Sequence, residues 1–301
     1  MKKMITFCSS LCFMLFIMTG IVSAEHQDEY THIGSYYKNV LTGEERFIPS
    51  EEVFSTNSLE LEGSSPGYFP KGLEALETRG IIGSENRQLV TNTQVGPYIS
   101  TCYIEANWGN NSYRGSGFII GPNAVVTSGH VIYNSSLGGW PSSCKVWPAR
   151  DGDNKYYESY AIAYEAGGNY VNNNDNQDDW GIITLADNLG DKTGWLGLRW
   201  QSNDYSGTVT LQGYPKEIGG NTNNRRMYKC VGSITGCSSR TIVTNADSSG
   251  GQSGGPMYKY YADTGYTAIG IIRGEGTGYN DGLRIDEWLY NKFISFRNKR
   301  T

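Results

Sequence analysis

A serine set among glycines is the sequence feature best suited to chemistry. Residues 250–256 read Gly-Gly-Gln-Ser-Gly-Gly-Pro, which places Ser253 at the centre. Because glycine carries no β-carbon, its backbone reaches conformations that other residues avoid. Such a loop can turn several N–H groups toward one point beside the Ser253 hydroxyl, and a nucleophile next to converging donors suits acyl transfer. The alternative interpretation is a turn between two strands.

A serine hydroxyl needs a base that removes its proton. The chain contains the histidines His26, His32 and His130, and the first two lie near the N-terminus in a segment that we expect to be removed. His130 follows the apolar run 124–127 and is the remaining candidate for the base. A structural role is the alternative for a lone histidine.

The third member of such a site is a buried carboxylate that orients the imidazole. Asp179 fits this role because it closely precedes the apolar run 181–185. Asp178 is its main competitor and Asp175 is a weaker one. Because three asparagines stand at 172–174, the alternative is a solvated loop end.

The order His130, Asp179, Ser253 resembles that of the chymotrypsin-like serine proteases. The stretches 81–87, 120–122, 127–130, 212–215 and 250–254 together resemble a narrower group, the bacterial glutamyl endopeptidases. The resemblance runs from about residue 80 to the C-terminus. It implies that His130 is the base, that Asp179 orients it and that Ser253 is the nucleophile. It also implies an oxyanion hole formed by the N–H groups of Gly251 and Ser253.

The same resemblance implies an all-β fold of two six-stranded antiparallel β-barrels, with the triad between them and a helix at the C-terminus. Short apolar runs between turn residues independently predict strands at 98–104, 117–120, 124–128, 181–185, 209–213 and 268–272. The spacing of the late apolar residues predicts a C-terminal helix that begins near Asp286. Its apolar face comprises Ile285, Trp288, Leu289, Phe293 and Phe296.

The composition favours a glycine- and tyrosine-rich secreted β protein. Charged residues make up 18% of the chain, below the usual share of about 25%. The net charge of −5 is mild and gives no basic stripe for nucleic acid. We expect no cofactor, since the acidic turn 151–154 is only a weak calcium candidate. The expected partners are protein or peptide substrates and the chain's own propeptide, with no membrane or nucleic acid, and the expected state is a monomer.

The N-terminal part reads as two removable segments. Residues 2 and 3 are lysines, an apolar run follows, and Val22-Ser23-Ala24 is a small-residue cleavage site, so residues 1–24 predict a signal peptide. Residues 25–79 are acidic and lack cysteine, which favours a propeptide that ends at Arg79. A small N-terminal domain or a disordered leader are the alternatives. These features predict an extracellular zymogen whose protease domain spans residues 80–301.

The four cysteines outside the signal peptide predict disulfides, because exported proteins usually oxidise their thiols. Four cysteines allow three sets of pairs. Proximity in the sequence favours Cys230–Cys237, which leaves Cys102–Cys144. Metal binding is the alternative, although the spacings match no zinc pattern.

Two departures from the glutamyl endopeptidase pattern stand out. Members of that family often carry a disulfide from the position after the histidine to the preceding strand, and the matching positions here, Val131 and about Gly115, both lack cysteine. The family histidine that helps bind an acidic side chain falls on Ile272, which cannot hydrogen-bond a carboxylate. Arg273 could replace it only if its side chain turned inward, which the alternation of side chains along a strand disfavours.

The residues before the serine loop bear on substrate choice. Asp247 lies six residues before Ser253, where trypsin-like enzymes place a carboxylate that selects basic side chains. Ser248 is a polar candidate for the pocket wall. The sequence therefore predicts a serine endopeptidase that cleaves after acidic residues, with cleavage after basic residues as the alternative. The alternative class is an inactive protease-like binding protein, which the complete triad disfavours.

Overall fold

The computed structural model describes residues 30–53, 62–73, 87–218, 224–276 and 279–300. The chain divides into two compact units, Met1–Tyr30 and Thr31–Thr301. Only Tyr30 of the first unit is described, so the predicted signal peptide and His26 lie outside the described residues. The predicted processing step at Arg79 also lies outside them.

The described residues in the N-terminal part of the second unit form four short strands. These are β1 (Gly34–Asn39), β2 (Glu45–Pro49), β3 (Glu62–Ser65) and β4 (Gln88–Leu89). β1 and β2 form an antiparallel hairpin. The segment that the sequence predicts to be a propeptide is therefore partly β structure.

Six antiparallel strands close the first barrel. They are β5 (Thr101–Trp108), β6 (Asn111–Ile119), β7 (Ala124–Thr127), β8 (Ser143–Pro148), β9 (Ser159–Gly167) and β10 (Gly181–Leu185). They follow the order β10-β7-β6-β5-β8-β9, and a direct pairing of β9 with β10 closes the ring. Apolar side chains such as Ile104, Val125 and Ile183 fill the interior. Removing this apolar surface from water is the main force that holds the barrel together.

Six further strands close the second barrel, after the linking strand β11 (Gly197–Gln201). They are β12 (Thr208–Gly213), β13 (Tyr228–Cys237), β14 (Thr241–Thr244), β15 (Pro256–Tyr261), β16 (Gly265–Gly276) and β17 (Tyr279–Arg284). The order is β15-β12-β13-β14-β17-β16, and β15 pairs with β16 to close the barrel. The predicted chymotrypsin-like fold of two six-stranded barrels is confirmed.

The strands of the N-terminal part extend both sheets. β1 lies antiparallel to β9, β3 lies antiparallel to β11, and β4 pairs with β13. β11 in turn runs parallel to β16. β1 therefore lies along the first barrel, and β3 lies along β11, the strand that leads into the second barrel.

Within the described residues, four α-helices connect or close these sheets. They are α1 (Gly129–Ile132), α2 (Gly168–Asn173), α3 (Gly190–Thr193) and α4 (Glu287–Arg297). Single 3-10 turns lie at Ser50–Val53, Tyr98–Ser100, Ser135–Leu137 and Asn176–Asp178. Among the described residues, no helix is both long and apolar enough to cross a membrane.

The C-terminal helix is confirmed, including its start. The Asp286 carboxylate accepts a hydrogen bond from the Leu289 N–H at 2.9 Å, which caps the helix. Trp288, Leu289 and Phe293 are buried in a core shared with both barrels. α4 therefore fastens the two barrels to each other.

The predicted strands are found, with different ends. The stretch expected at 98–104 opens with the 3-10 turn Tyr98–Ser100 before β5 begins. β7 ends at Thr127 because α1 begins two residues later. β16 runs beyond the expected 268–272 in both directions, since it pairs with β15 along its first half and with β17 along its second.

The predicted disulfides are wrong, and all four cysteines are thiols. Cys102 lies opposite Pro148 whereas Cys144 lies opposite Ala106, so the two are four residues out of register. That offset is about 13 Å along the strands. Cys230 and Cys237 are seven residues apart on the single strand β13, or about 23 Å. A disulfide needs α-carbons within about 7 Å.

Candidate active site

His130 is held by Asp179 at the point where β7 leads into α1. The His130 Nδ1 lies 2.7 Å from Asp179 Oδ2, and the His130 backbone N–H donates to Asp179 Oδ1 at 2.8 Å. Asp179 is buried, while the His130 side chain stays 38% exposed. Gly129 is required here, because a β-carbon at that position would lie 3.0 Å from Asp179 Oδ1 and 2.9 Å from the Tyr170 ring. The carboxylate thus fixes both the orientation and the backbone of His130.

The charge of Asp179 also sets the protonation of His130. Burial by itself lowers the pKa of His130, but the charge of Asp179 and its hydrogen bond outweigh burial and raise that pKa above the ordinary value of 6.5. Since Nδ1 faces a carboxylate, it carries the proton in the neutral ring. Nε2 is then left as the acceptor on the opposite side of the ring.

The two competing acids have other partners. The buried Asp178 accepts hydrogen bonds from the Trp180 indole at 2.8 Å and from the Asn169 N–H at 2.9 Å. Asp175 accepts from the Gln177 N–H at 2.8 Å, which caps the 3-10 turn Asn176–Asp178. The structure therefore brings only Asp179 of the three acids to His130.

The loop that carries Ser253 packs against the strand end that precedes His130. The Ser253 carbonyl accepts from the Ser116 N–H at 2.8 Å, and the Gly254 N–H donates to the Ile272 carbonyl at 2.8 Å. Gly254 has φ +85°, and a β-carbon there would lie 2.2 Å from Thr127 Oγ1. Only glycine permits both this conformation and this approach. The Ser253 hydroxyl donates to the Arg273 carbonyl at 3.3 Å.

Ser116 orients the glycine turn before Ser253. Its hydroxyl donates to the Gly251 carbonyl at 2.8 Å and accepts the Tyr214 N–H at 2.8 Å. Gly251 has φ +96°, which again favours glycine. Within the residues that the structure describes, the N–H groups of Gly251 and Ser253 donate to no protein acceptor. These two amides are the pair that the sequence predicts for an oxyanion hole.

Gln252 supports the loop from the protein interior. Its side chain is buried, and its Oε1 accepts the Ser249 N–H at 3.0 Å. The Gln252 N–H donates to the Ser249 carbonyl at 3.0 Å, which makes a tight turn. The loop is therefore held by internal contacts without an ion pair at Gln252.

A cavity of about 280 Å³ opens beside Ser253. It is lined by Ser248, Ser249, Gly250, Ser253, Ile272 and Gly274. Ser248 donates to Asn280 Oδ1 at 2.9 Å, and the Ser249 hydroxyl accepts from Arg87 Nη1 at 2.7 Å. The wall thus combines two serine hydroxyls with the apolar side chain of Ile272, and a guanidinium lies behind one hydroxyl.

Two residues predicted for this pocket, Asp247 and Arg273, are not among those that line it. Arg273 makes a double hydrogen bond to Asp281, at 3.1 and 2.6 Å, and a further one to the Asn176 carbonyl at 2.9 Å. These contacts hold the Arg273 side chain outside the cavity lining, whereas Ile272 is one of the residues that line it. The Asp247 N–H donates to the Cys230 sulfur at 3.0 Å.

Sequence reasoning missed several contributors to the site. Arg87 lies within the stretch 81–87 that carries the family resemblance, which was the signal available for it. Ser116, Ser249 and Asn280 had no signal, because their roles depend on contacts between distant strands.

The acidic turn at 151–154 is paired with arginines. Asp151 lies 3.7 Å from Arg226 Nε, and Asp153 lies 3.5 Å from Arg225 Nη1. Among the described residues, no three His, Cys, Asp or Glu side chains group together in a way that could hold a metal ion.

Comparison with known proteins places the chain in a family. The family described as Trypsin matches residues 86–294. The chain is 31% identical over 235 residues to a protein named extracellular metalloprotease of Bacillus subtilis, covering 76% of this chain and 73% of that protein. It is 28% identical over 247 residues to a glutamyl endopeptidase of Bacillus licheniformis, covering 79% of this chain and 73% of that protein.

A solved structure agrees with the fold. The structure of a Glu endopeptidase in complex with MPD covers 71% of this chain and 97% of its own, with a TM-score of 0.63 and 24% sequence identity. The two barrels and the family match lead to one conclusion. The chain belongs to the trypsin family and is a serine endopeptidase with glutamyl endopeptidase homologues.

Proposed function

We propose that this protein is a secreted endopeptidase in which Ser253 is the nucleophile, His130 the general base and Asp179 the residue that orients His130. The observation that carries the proposal is the double contact between Asp179 and His130, at 2.7 and 2.8 Å. That contact directs Nδ1 toward the carboxylate and leaves Nε2 for proton transfer.

Catalysis then follows from the loop geometry. The Ser253 hydroxyl leaves its bond to the Arg273 carbonyl and turns to His130 Nε2, which takes its proton as the oxygen attacks the peptide carbonyl. The N–H groups of Gly251 and Ser253 stabilise the resulting oxyanion. The protonated His130 gives its proton to the departing amine, and an acyl-enzyme ester remains on Ser253. Water, deprotonated by His130, hydrolyses that ester in the second half of the cycle.

We propose that the residue bound in the cavity beside Ser253 is acidic. The relative that is 28% identical is named a glutamyl endopeptidase. Among the described residues, no acidic side chain lines the cavity, whereas Arg87 lies within hydrogen-bond distance of Ser249 in its wall. Ser248 and Ser249 can donate to a carboxylate, and Arg87 supplies the positive charge. The alternative preference for basic residues loses support, since Asp247 is not part of the lining.

The wider proposal is a signal peptide at 1–24 that exports the chain, a propeptide at 25–79 and a monomeric enzyme that needs no cofactor. The substrates are proteins or peptides. Export of a protease in an inactive form protects the cell that makes it.

The test labels the processed enzyme with a fluorophosphonate, which reacts only with an activated serine. We expect labelling and peptide cleavage by the native chain, neither by Ser253→Ala, and both by the exposed control Ser135→Ala. A diverse peptide library should be cut after glutamate, and a chelator should leave the rate unchanged.

Loss of activity on chelation would contradict the proposal and favour the chemistry that the name of the Bacillus subtilis relative implies. A folded native chain that neither takes the label nor cleaves any peptide would instead favour an inactive binding protein.

A further inference from the structure

The described part of the segment 31–73 is built into both sheets of the enzyme. β1 pairs with β9 from Ser35 opposite Gly167 to Asn39 opposite Ala163. β3 pairs with β11 from Glu62 opposite Gln201 to Ser65 opposite Leu198. Without the segment, these edges of β9 and β11 would present unpaired backbone groups. The segment therefore completes the fold of the protease domain.

His32 enters a pocket between the two barrels. It is 8% exposed, and its ring stacks on the Trp288 indole with centroids 4.3 Å apart and an interplanar angle of 13°. Its Nε2 lies 2.8 Å from Asp286 Oδ2, and its Nδ1 lies 3.3 Å from Asp178 Oδ1. We call this site, formed by Asp178, Asp286, Arg240 and Trp288, the His32 pocket.

The charges of the His32 pocket balance only when the histidine is protonated. Arg240 Nη1 is hydrogen-bonded to Asp286 and lies 2.9 Å from His32 Nε2. With His32 protonated, two positive groups face the carboxylates of Asp178 and Asp286. Without His32 in the pocket, the single guanidinium of Arg240 faces two carboxylates, and Asp178 is fully buried. An uncompensated buried charge is costly, so the empty pocket is unfavourable.

The same cluster determines how His32 titrates. Burial lowers the pKa of His32, but its interactions with the carboxylates of Asp178 and Asp286 outweigh burial and the opposing charge of Arg240, and the pKa is raised above 6.5. Arg240 and His32 in turn lower the pKa of Asp286 against the effect of its burial. His32 therefore binds most tightly in its charged form.

Two further contacts anchor the segment at its ends. The buried Ser35 donates to Glu165 Oε1 at 2.5 Å, and the same carboxylate oxygen is paired with Lys292 of α4. Near the other end, Arg297 donates to Ser65 Oγ at 2.5 Å and to the Pro66 carbonyl at 3.0 Å. Each anchor joins the segment to the C-terminal helix.

The described part of the segment leaves the active site open. With it in place, the His130 side chain is still 38% exposed, and the cavity beside Ser253 is present. The hydrogen bonds of the His130 ring and the Ser253 hydroxyl go to Asp179 and Arg273. A segment that completes two sheets without blocking the site behaves as a structural part of the enzyme.

We propose that the segment 31–73, through its described residues 31–53 and 62–73, stays bound to the protease domain after the chain is cut at the predicted step between Arg79 and Gly80. The segment then acts as a non-covalent, strand-donating subunit whose anchor is His32 in the His32 pocket. The proposal rests on the processing included in the proposed function. The test therefore makes the cut with an added protease, so that its outcome does not depend on the activity of this enzyme.

The experiment uses the full chain carrying Ser253→Ala, with a recognition site for a site-specific protease inserted between Arg79 and Gly80. After the cut, gel filtration and native mass spectrometry at pH 6 should show both pieces together in a one-to-one complex. Free His32 has an ordinary pKa near 6.5 and bound His32 a higher one, so binding is tightest below pH 6.5. It weakens as the pH rises through the bound pKa, by up to about tenfold for each unit of difference.

The matched variants are His32→Gln and Lys38→Ala, the latter in the exposed pair with Glu45 on the same hairpin. His32→Gln should release the segment at least about tenfold faster than Lys38→Ala, and its release should no longer speed up between pH 6 and pH 9. Separation of the unmodified segment at pH 6 immediately after cutting would overturn the proposal. Equal release from the two variants, or an unchanged pH dependence in His32→Gln, would overturn the role of His32. If His32→Gln does not fold, the pH dependence of the unmodified complex tests the role of His32, and binding that does not weaken between pH 6 and pH 9 would overturn it.

Discussion

Asp178 and Asp179 are neighbours in the chain, yet their carboxylates face opposite sides of one loop. Asp179 binds His130 at 2.7 Å, whereas Asp178 lies 3.3 Å from His32 and binds the Trp180 indole at 2.8 Å. One acid contacts His130 in the candidate active site, and the other contacts His32 in the N-terminal segment. The two sites are therefore joined by a single peptide bond.

These different contacts predict different effects of substituting the two acids. Asp179→Asn should lower kcat by about 10⁴-fold and leave folding intact, because the amide favours the wrong imidazole tautomer. Asp178→Asn should keep most of the activity but lower the free energy of unfolding, since it removes a buried charge that faces His32 and Arg240. Steady-state kinetics and urea unfolding of both variants check this. Loss of kcat in Asp178→Asn alone would reverse the assignment.

The raised pKa of His130 predicts the acid limb of the pH profile. The base must be neutral to accept a proton, so kcat/KM should rise with pH through a pKa above 6.5. In Asp179→Asn only burial acts on the ring, and burial lowers the pKa. The limb should then move to lower pH, although the rates fall. An acid limb that stays in place in this variant would show that Asp179 does not set it.

Ser116 is predicted to act on catalysis through the Gly251 turn. Ser116→Ala removes the hydrogen bonds to the Gly251 carbonyl and from the Tyr214 N–H, each 2.8 Å long. Two such bonds amount to about 2 kcal/mol, or about 30-fold in rate. Because the loop carries the proposed oxyanion donors, we expect the loss in kcat, with KM nearly unchanged. An increase in KM alone would place Ser116 in substrate binding.

Local signals in the sequence were sufficient to predict the contact between His130 and Asp179 and the glycine loop that carries Ser253. Gly251 and Gly254 have φ +96° and +85°, so the backbone conformation of the loop favours glycine at both positions. Asp179 was predicted because it closely precedes the buried strand β10 and so lies at the end of the barrel where that strand begins. The short apolar runs predicted individual strands, whereas their arrangement into two six-stranded barrels was implied by the family resemblance alone.

Long-range contacts limited what the sequence could predict. The pairing of Arg273 with Asp281 depends on the register of β16 against β17, and the offset of Cys102 from Cys144 depends on that of β5 against β8. Neither register can be read from one strand alone. The docking of His32 depends on Asp286, which is 254 residues away in the chain.

The contact between Gly115 and Val131 predicts an engineered disulfide where family members often have one. A β-carbon at Gly115 would lie 3.3 Å from the Val131 β-carbon, close to the spacing in a disulfide. The double variant Gly115→Cys, Val131→Cys should oxidise and gain up to about 3 kcal/mol for a loop of this length. Mass spectrometry and thermal unfolding, with and without reductant, check this. Val131→Cys alone is the control, and a double variant that keeps both thiols would contradict the prediction.

Arg87 and Ile272 together should set the strength of cleavage after glutamate. Arg87→Leu removes the cation behind Ser249, so kcat/KM for glutamate substrates should fall by about 10- to 100-fold, as expected for a lost charged hydrogen bond. Arg87→Lys should retain part of the activity, because it keeps the charge but not the planar donor pair. Ile272→His adds a donor to the cavity wall and should strengthen glutamate cleavage. Peptides that differ only in the residue before the scissile bond measure all three. Unchanged glutamate cleavage in Arg87→Leu, or loss of cleavage after basic residues in Asp247→Ser, would show that a different residue selects the substrate.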